Sequence, residues 1–209
     1  MSGHNAGLKP PRPVSSEKGR KMQFTQTPLD GAFLIDLEKR EDSRGFFARM
    51  FCPREFEQHG LRPSLAQINT AMSFEKGTLR GMHYQLPPHA EIKIVKCLRG
   101  VVHDVILDLR PDSATFGTWF GAELNDDNRR MMYIPEGFGH GYYSLTDNAE
   151  LLYLTTEFYS PECERTIRWD DPKFGIEWPG EPAVISEKDA AARDFDPAYH
   201  LVATAETDE

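Results

Sequence analysis

The chain reads as an all-β domain, a sandwich or barrel with short flanking helices. Short segments rich in β-branched and aromatic residues follow one another through most of its length, and clusters of turn-forming residues separate them. A length of 209 residues accommodates one well-buried domain and leaves little for a second. We expect a domain over residues 22–195, an arm over 1–21 before it and a tail over 196–209 after it.

The strand segments come in order. "AFLIDLE" (Ala32–Glu38), "GFFARMF" (Gly45–Phe51) and "LAQINTAMS" (Leu65–Ser73) lead, followed by "TLRGMHYQ" (Thr78–Gln85), "IKIVKCL" (Ile92–Leu98) and "VVHDVILDL" (Val101–Leu109). "TWFGAEL" (Thr118–Leu124), "RMMYIP" (Arg130–Pro135), "GHGYYSL" (Gly139–Leu145) and "ELLYLTTEFY" (Glu150–Tyr159) complete the set. Turns fall at Arg99-Gly100, at Asn125-Asp126-Asp127-Asn128 and at Thr146-Asp147-Asn148. Helices are expected over Pro53–Gly60, where Pro opens and Gly closes the segment, and over Ser186–Asp194, where Ser186 is placed to cap.

The arm is rich in Gly, Pro, Ser and basic residues and has little to bury, so it is expected to be mobile; Ala203–Glu209 is small, acidic and expected to fray. Hydrophobic residues make up 39% of the chain and charged residues 27%, the balance of a soluble globular protein. The net charge of -9 and the absence of a Lys/Arg run argue against a nucleic-acid partner. No apolar stretch approaches the ~20 residues of a membrane span, and the N-terminus lacks the apolar region of a signal peptide. The three cysteines, Cys52, Cys97 and Cys163, form no CxxC pair and suit a reducing cytoplasm. An acidic chain that binds an anion must concentrate isolated cations at one site.

Strand parity says which side chains can meet. Successive residues alternate faces, so His83 shares a face with Gln85, while Arg80, Met82 and Tyr84 share the other. Lys93, Val95 and Cys97 share a face, as do Leu151, Tyr153 and Thr155. In a hollow sandwich a His, a Lys and a Tyr then converge from three strands.

"RGMHYQ" followed by "PEGFGH" (Pro135–His140) resembles the two motifs of cupins. Metal-binding cupins place H-x-H and a Glu in the first motif and a further His in the second. Here the first motif reads His83-Tyr84-Gln85, and Glu91 lies beyond the usual spacing, so neither a metal nor another cofactor is expected.

The resemblance narrows along the chain. "DSRGFFARMF", "GTLRGMHYQ", "KIVKCLRGVVHDVILDLR", "SATFGTW", "IPEGFGHG", "LLYLTTEFYSPECERTIRWDDP", "IEWP" and "SEKDAA" resemble, in order, successive blocks of the dTDP-4-dehydrorhamnose 3,5-epimerase family. The resemblance implies a cupin jelly roll (a double-stranded β-helix), a homodimer and a nucleotide-linked 4-keto-6-deoxyhexose as substrate.

Such a substrate carries acidic C–H bonds on both sides of its carbonyl. Inverting either carbon takes a base on one face, an acid on the other and a donor or cation at the enolate oxygen. Histidine is the side chain best matched to neutral pH, which makes His83 the candidate base. By the resemblance Asp189 pairs with that imidazole, Lys93 lies near the C4 oxygen and Tyr153 delivers a proton from the opposite face. Arg44 and Arg80 then contact the nucleotide or diphosphate, Gln67 and Asn69 lie near the nucleotide, and His140 is a second active-site histidine. Glu164 and Lys188 touch substrate, and Tyr159 stacks on the base.

Some positions depart from the family pattern: Arg49 for a Glu, Leu154 for a Lys, His103 for a Phe, Thr166 for a Gly and Phe158 for a Tyr. Arg49 and Phe158 bear on base recognition and leave CDP or GDP open in place of dTDP. Inversion at C3 or C5 alone, a 3,4-ketoisomerase, a metal-dependent cupin and a non-catalytic sugar-binding cupin are the alternatives.

Overall fold

The computed structural model describes residues 21–62 and 64–202. The expected arm, apart from Lys21, and the stretch 203–209 lie outside the described residues.

In chain order the elements are β1 (Met22–Gln26), β2 (Phe33–Leu37), β3 (Arg40–Asp42), β4 (Gly45–Phe47), α1 (Pro53–Gln58), β5 (Gln67–Ser73) and β6 (Thr78–Gln85). Next come β7 (Lys93–Arg99), β8 (Val101–Asp108), β9 (Trp119–Asn125), β10 (Met131–Ile134), β11 (Phe138–Ser144) and β12 (Ala149–Thr155). The last are β13 (Glu164–Thr166), β14 (Val184–Ile185), α2 (Glu187–Ala190) and α3 (Pro197–His200).

One sheet has the order β1-β2-β10-β7-β12-β5 and the other β13-β6-β11-β8-β9, with β14 parallel to β6 at its edge. From β5 to β8 the chain changes sheet at every step, and it does so again from β9 to β12. This wrapping is the jelly roll that the sequence predicts.

Three apolar clusters explain why the strands read as they do. Val95, Cys97 and Leu151 of the first sheet meet Val102, Ile106 and Tyr142 of the second between the sheets. The outer face of the first sheet is covered by α1 through Phe56. The outer face of the second is covered by later chain, including Ile167, Phe174 and Trp178. With both faces covered, β10 and β11 are buried along their whole length, and burial of each large apolar side chain contributes about 1.5–3 kcal/mol.

The differences from the expected elements have local causes. The segment Gly45–Phe51 is strand only to Phe47, because among the described residues β3 and β4 pair as strands only with each other and the chain then turns so that Arg49 reaches Glu55 at 2.7 Å. The helix from Ser186 stops at Ala190, and the backbone at Arg193 returns to accept a hydrogen bond from Arg168 N–H at 3.2 Å. The region expected as a tail opens with α3, whose His200 is fully buried and whose His200 carbonyl accepts the Tyr84 hydroxyl at 3.0 Å. Packing therefore continues past residue 195. Among the described residues no helix is long and apolar enough to cross a membrane.

Candidate active site

The site lies between the sheets, and a strand irregularity shapes it. His140 on β11 pairs with His83 on β6, yet Tyr142 pairs with Arg80, so the register slips between them. A bulge of this kind shifts side chains to the opposite face. It corrects the alternation expected from the sequence, which put Arg80 on the face away from His83. Arg80 instead reaches the first sheet, donating to the Met72 carbonyl at 3.2 Å, and its charge acts on Tyr142 and Tyr153. Gly81 sits in the slip at φ +143°, and a Cβ there would lie 2.5 Å from the Gly141 Cα.

His83 Nε2 lies 2.7 Å from Asp189 Oδ1. Asp189 is buried, and burial opposes its ionisation. The His83 hydrogen bond and charge, the Gly81 N–H and Ser186 outweigh that and hold its carboxyl below the ordinary range. Its backbone N–H donates to Ser186 Oγ at 3.1 Å, so the N-cap of α2 also sets the carboxylate's position. With Asp189 ionised, the proton of a neutral His83 sits on Nε2, which leaves the Nδ1 lone pair to act as a base. The His83 side chain keeps 31% of its surface exposed, whereas Asp189 keeps 4%. The imidazole is therefore reachable and its partner is not.

A second histidine–carboxylate pair stands beside the first. His140 Nε2 lies 2.7 Å from Asp104 Oδ1, and both residues are buried. The other Asp104 oxygen is buried without a hydrogen-bond partner. Sequence reasoning missed Asp104, although a signal was present: it alternates with Val102 and Ile106 on β8, so it faces the core, and a buried acid requires a partner.

Tyr153 enters from the first sheet on β12 and meets His140 edge to face, with ring centroids 6.0 Å apart and planes at 72°. Burial foremost, with Tyr142 and Asp104 adding to it against Arg80, pushes its hydroxyl well above the ordinary range. It thus stays protonated at neutral pH. The Tyr142 hydroxyl, whose neighbourhood adds to that shift, is itself within 2.9 Å of Ser73 Oγ. Lys93 on β7 donates to the His83 carbonyl at 3.4 Å and pairs with Glu91 at 3.1 Å.

A polar rim leads to this cavity. Glu164 on β13 accepts from Lys188 Nζ at 2.5 Å and from the Tyr159 hydroxyl at 2.9 Å. Burial opposes ionisation of Glu164, but these two bonds and the His83 charge hold its carboxyl low. Gln67 accepts the Tyr159 N–H at 3.2 Å, and Asn69 stands opposite Tyr153 across β5 and β12. Phe158 and Tyr159 are both exposed at this rim.

The fold thus gathers His83, Asp189, Lys93, Tyr153, His140 and Arg80 around the cavity, with Gln67, Asn69, Tyr159, Glu164 and Lys188 at its edge. Arg44 is not brought there. It sits on the exposed β3–β4 hairpin and pairs with Asp42 at 2.6 Å. Gln85, the position after Tyr84 in the cupin-like motif, holds the loop that carries Tyr159. Its carbonyl oxygen accepts the Ser160 N–H at 2.6 Å, and its amide donates to the carbonyls of His89 and Phe158. A separate cavity of about 330 Å³, lined by Tyr84, Gln85, Leu86, Leu109, Arg110 and Glu136 among others, includes none of the residues gathered around the first cavity or at its edge.

Residues 26–196 match the family model described as dTDP-4-dehydrorhamnose 3,5-epimerase. The chain belongs to that family. The dTDP-4-dehydrorhamnose 3,5-epimerase of Methanothermobacter thermautotrophicus is 44% identical over 172 residues, covering 81% of this chain and 92% of that one. The crystal structure of the Legionella pneumophila family member in complex with dTDP-4-keto-L-rhamnose superposes with a TM-score of 0.80 at 38% identity, covering 88% and 99% of the two chains. ChmJ, a 3'-monoepimerase from Streptomyces bikiniensis crystallised with dTDP-quinovose, superposes with a TM-score of 0.75 at 34% identity, over 80% and 85%.

Against the dTDP-4-dehydrorhamnose 3,5-epimerase pattern, the departures in this chain fall in different places. Leu154 packs into the outer cluster of the first sheet, and His103 meets Trp178 at 6.5 Å on the second. Thr166 pairs with His83 across β13 and β6. Arg49 is tied to Glu55, while Phe158 stands exposed beside Tyr159.

Proposed function

We propose that this chain inverts C3 and C5 of a dTDP-linked 4-keto-6-deoxyhexose, converting dTDP-4-dehydro-6-deoxy-D-glucose to dTDP-4-dehydro-L-rhamnose. The observation that carries the reading is the pairing of a reachable His83, backed by buried Asp189, with a protonated Tyr153 on the facing sheet. His83 removes the proton beside the carbonyl, and Asp189 stabilises the imidazolium that forms. Lys93 meets the negative charge that grows on the C4 oxygen. Tyr153 returns a proton from the other side; once His83 has released its proton to solvent and Tyr153 has regained one, repetition at the second carbon completes the double inversion.

Substrate binding follows from the rim. Arg80 takes the diphosphate, Tyr159 stacks on the base, and Gln67, Asn69, Glu164 and Lys188 fix the nucleotide and sugar. His140 lines the sugar pocket beside Tyr153. Arg44, carried outward on the β3–β4 hairpin, serves the site of a second copy of the chain in a homodimer.

The test is NMR of the dTDP-4-keto-6-deoxy-D-glucose substrate with EDTA-treated protein in D2O. Deuterium at C3 and C5 with inverted product is expected. Labelling at C3 alone would instead assign a monoepimerase, as ChmJ is named. Absence of labelling from this substrate and from its CDP and GDP counterparts would overturn the proposal.

A further inference from the structure

Glu91 precedes β7, and its carboxylate lies 3.1 Å from Lys93 Nζ, with only 11% and 15% of the two side chains exposed. Two residues apart in the chain, they lie at the start of the strand that carries Lys93 into the cavity. The same ammonium donates to the His83 carbonyl at 3.4 Å. An ammonium has three N–H donors. One is directed at Glu91 and one at β6, which leaves the third for the cavity. Without the carboxylate, the flexible four-carbon stem and the freely rotating ammonium have one anchor in place of two.

We propose that Glu91 is a positioning residue, which fixes the place and rotation of the Lys93 ammonium so that its remaining N–H faces the developing enolate oxygen. The inference rests on the role given to Lys93 above. The other titratable groups of the cavity have different partners: His83 pairs with Asp189, His140 with Asp104, Glu164 with Lys188 and Tyr159, and Tyr153 meets the His140 ring. On the strands flanking β7, the residues opposite Lys93 are Ile134 and Thr155, neither of them charged. Glu91 is thus the carboxylate paired with this ammonium. A donor prepositioned where charge develops needs no reorganisation during the reaction, and its loss is felt in kcat more than in binding.

The experiment uses Glu91→Ala and Glu91→Gln in the full chain. Glu91→Ala is expected to lower kcat about tenfold while KM changes less than about twofold. Glu91→Gln keeps an acceptor of the same shape and should restore most of the lost rate. In parallel, Lys93 is acetylated with acetic anhydride at fixed pH and read by peptide mass spectrometry against exposed Lys76. Its relative labelling should rise several-fold in Glu91→Ala. Wild-type kcat in Glu91→Ala, or unchanged Lys93 labelling, would overturn the inference. A wild-type protein inactive on all the nucleotide sugars would refute the proposed function instead, and the labelling would still decide whether Glu91 holds Lys93.

Discussion

His83 and His140 face each other across β6 and β11, and each sets its Nε2 2.7 Å from a buried carboxylate, Asp189 for one and Asp104 for the other. The two pairs differ in access. His83 is partly open to the cavity, whereas His140 is buried against Tyr153. One imidazole is placed to exchange a proton with a ligand. The other lines the wall beside Tyr153, the proposed acid.

Tyr153→Phe removes the acid and leaves the base. Net inversion is expected to fall about 10²–10⁴-fold, the usual worth of a general acid. Deuterium exchange from the substrate should fall far less, because abstraction does not need the phenol. Inversion and exchange measured in the same D2O sample decide this. Equal losses in both would remove Tyr153 from its role.

His83→Ala is expected to abolish both exchange and inversion while leaving the circular dichroism spectrum unchanged, since the side chain is not part of an apolar cluster. Asp189→Asn should keep a hydrogen-bond partner for His83 but lose the charge that stabilises imidazolium, lowering kcat on the order of a hundredfold. Near-normal exchange by either variant contradicts the assignment.

Asp189 also makes a pH prediction for stability. Its carboxyl titrates lower in the folded chain than in the unfolded one. Below the ordinary carboxylate value of about 3.9, the unfolded state therefore takes up the proton first. The contribution is complete above that value and is lost as pH falls through the folded one. The Tm advantage of wild type over Asp189→Asn should hold from pH 7 to 5 and shrink toward pH 3. A difference independent of pH would show that the ionised carboxylate adds nothing.

Lys96 runs the other way. Burial, with Arg129 and Lys39 adding to it, lowers its value to about 8, although its Nζ donates to the Arg129 carbonyl at 2.6 Å. An unfolded lysine keeps its proton to about 10.4. Between those values the unfolded state binds more protons, so stability rises with pH. Below about 8 the folded state bears the full cost of the buried ammonium. Lys96→Met should therefore compare best with wild type at pH 7, and its relative Tm should decline toward pH 10. A flat comparison would mean that the ammonium is not desolvated.

Gly81→Ala tests the strand slip that places Arg80. The added methyl meets the Gly141 Cα at 2.5 Å, at a φ that only glycine adopts freely. Destabilisation of about 1–3 kcal/mol or more is expected in urea unfolding, with a raised KM as Arg80 is displaced. Unchanged stability would mean that β6 and β11 separate easily there.

Much of the site was legible before the fold. His83, Lys93, Tyr153 and Asp189 were read from their motifs, and the fold places them near one another. Strand alternation placed Tyr153 with Leu151 and Lys93 with Val95, as observed, because β7 and β12 set Tyr153 opposite Val95, Leu151 opposite Cys97 and Thr155 opposite Lys93. Arg80 was read to the wrong face, since alternation holds only while the register does. Asp104 and Glu91 were not chosen as site residues. Each matters through a single partner, and pairing across space leaves little trace in spacing.

The sequence by itself determined the β architecture, the longer central strands and the kind of chemistry available, but not β1, β3, β13 or β14. Those follow from local pattern: apolar alternation, turn residues, and side chains able to move protons near neutral pH. The tertiary structure alone decided that Asp104 serves His140, that Arg80 leans toward the first sheet, and that Arg44 points away. These depend on the slip between β6 and β11, on the return of α2 to the edge of β6, and on a hairpin that among the described residues forms its own two-stranded sheet. They are contacts between distant parts of the chain, and closing the sandwich is what brings those parts within hydrogen-bond reach.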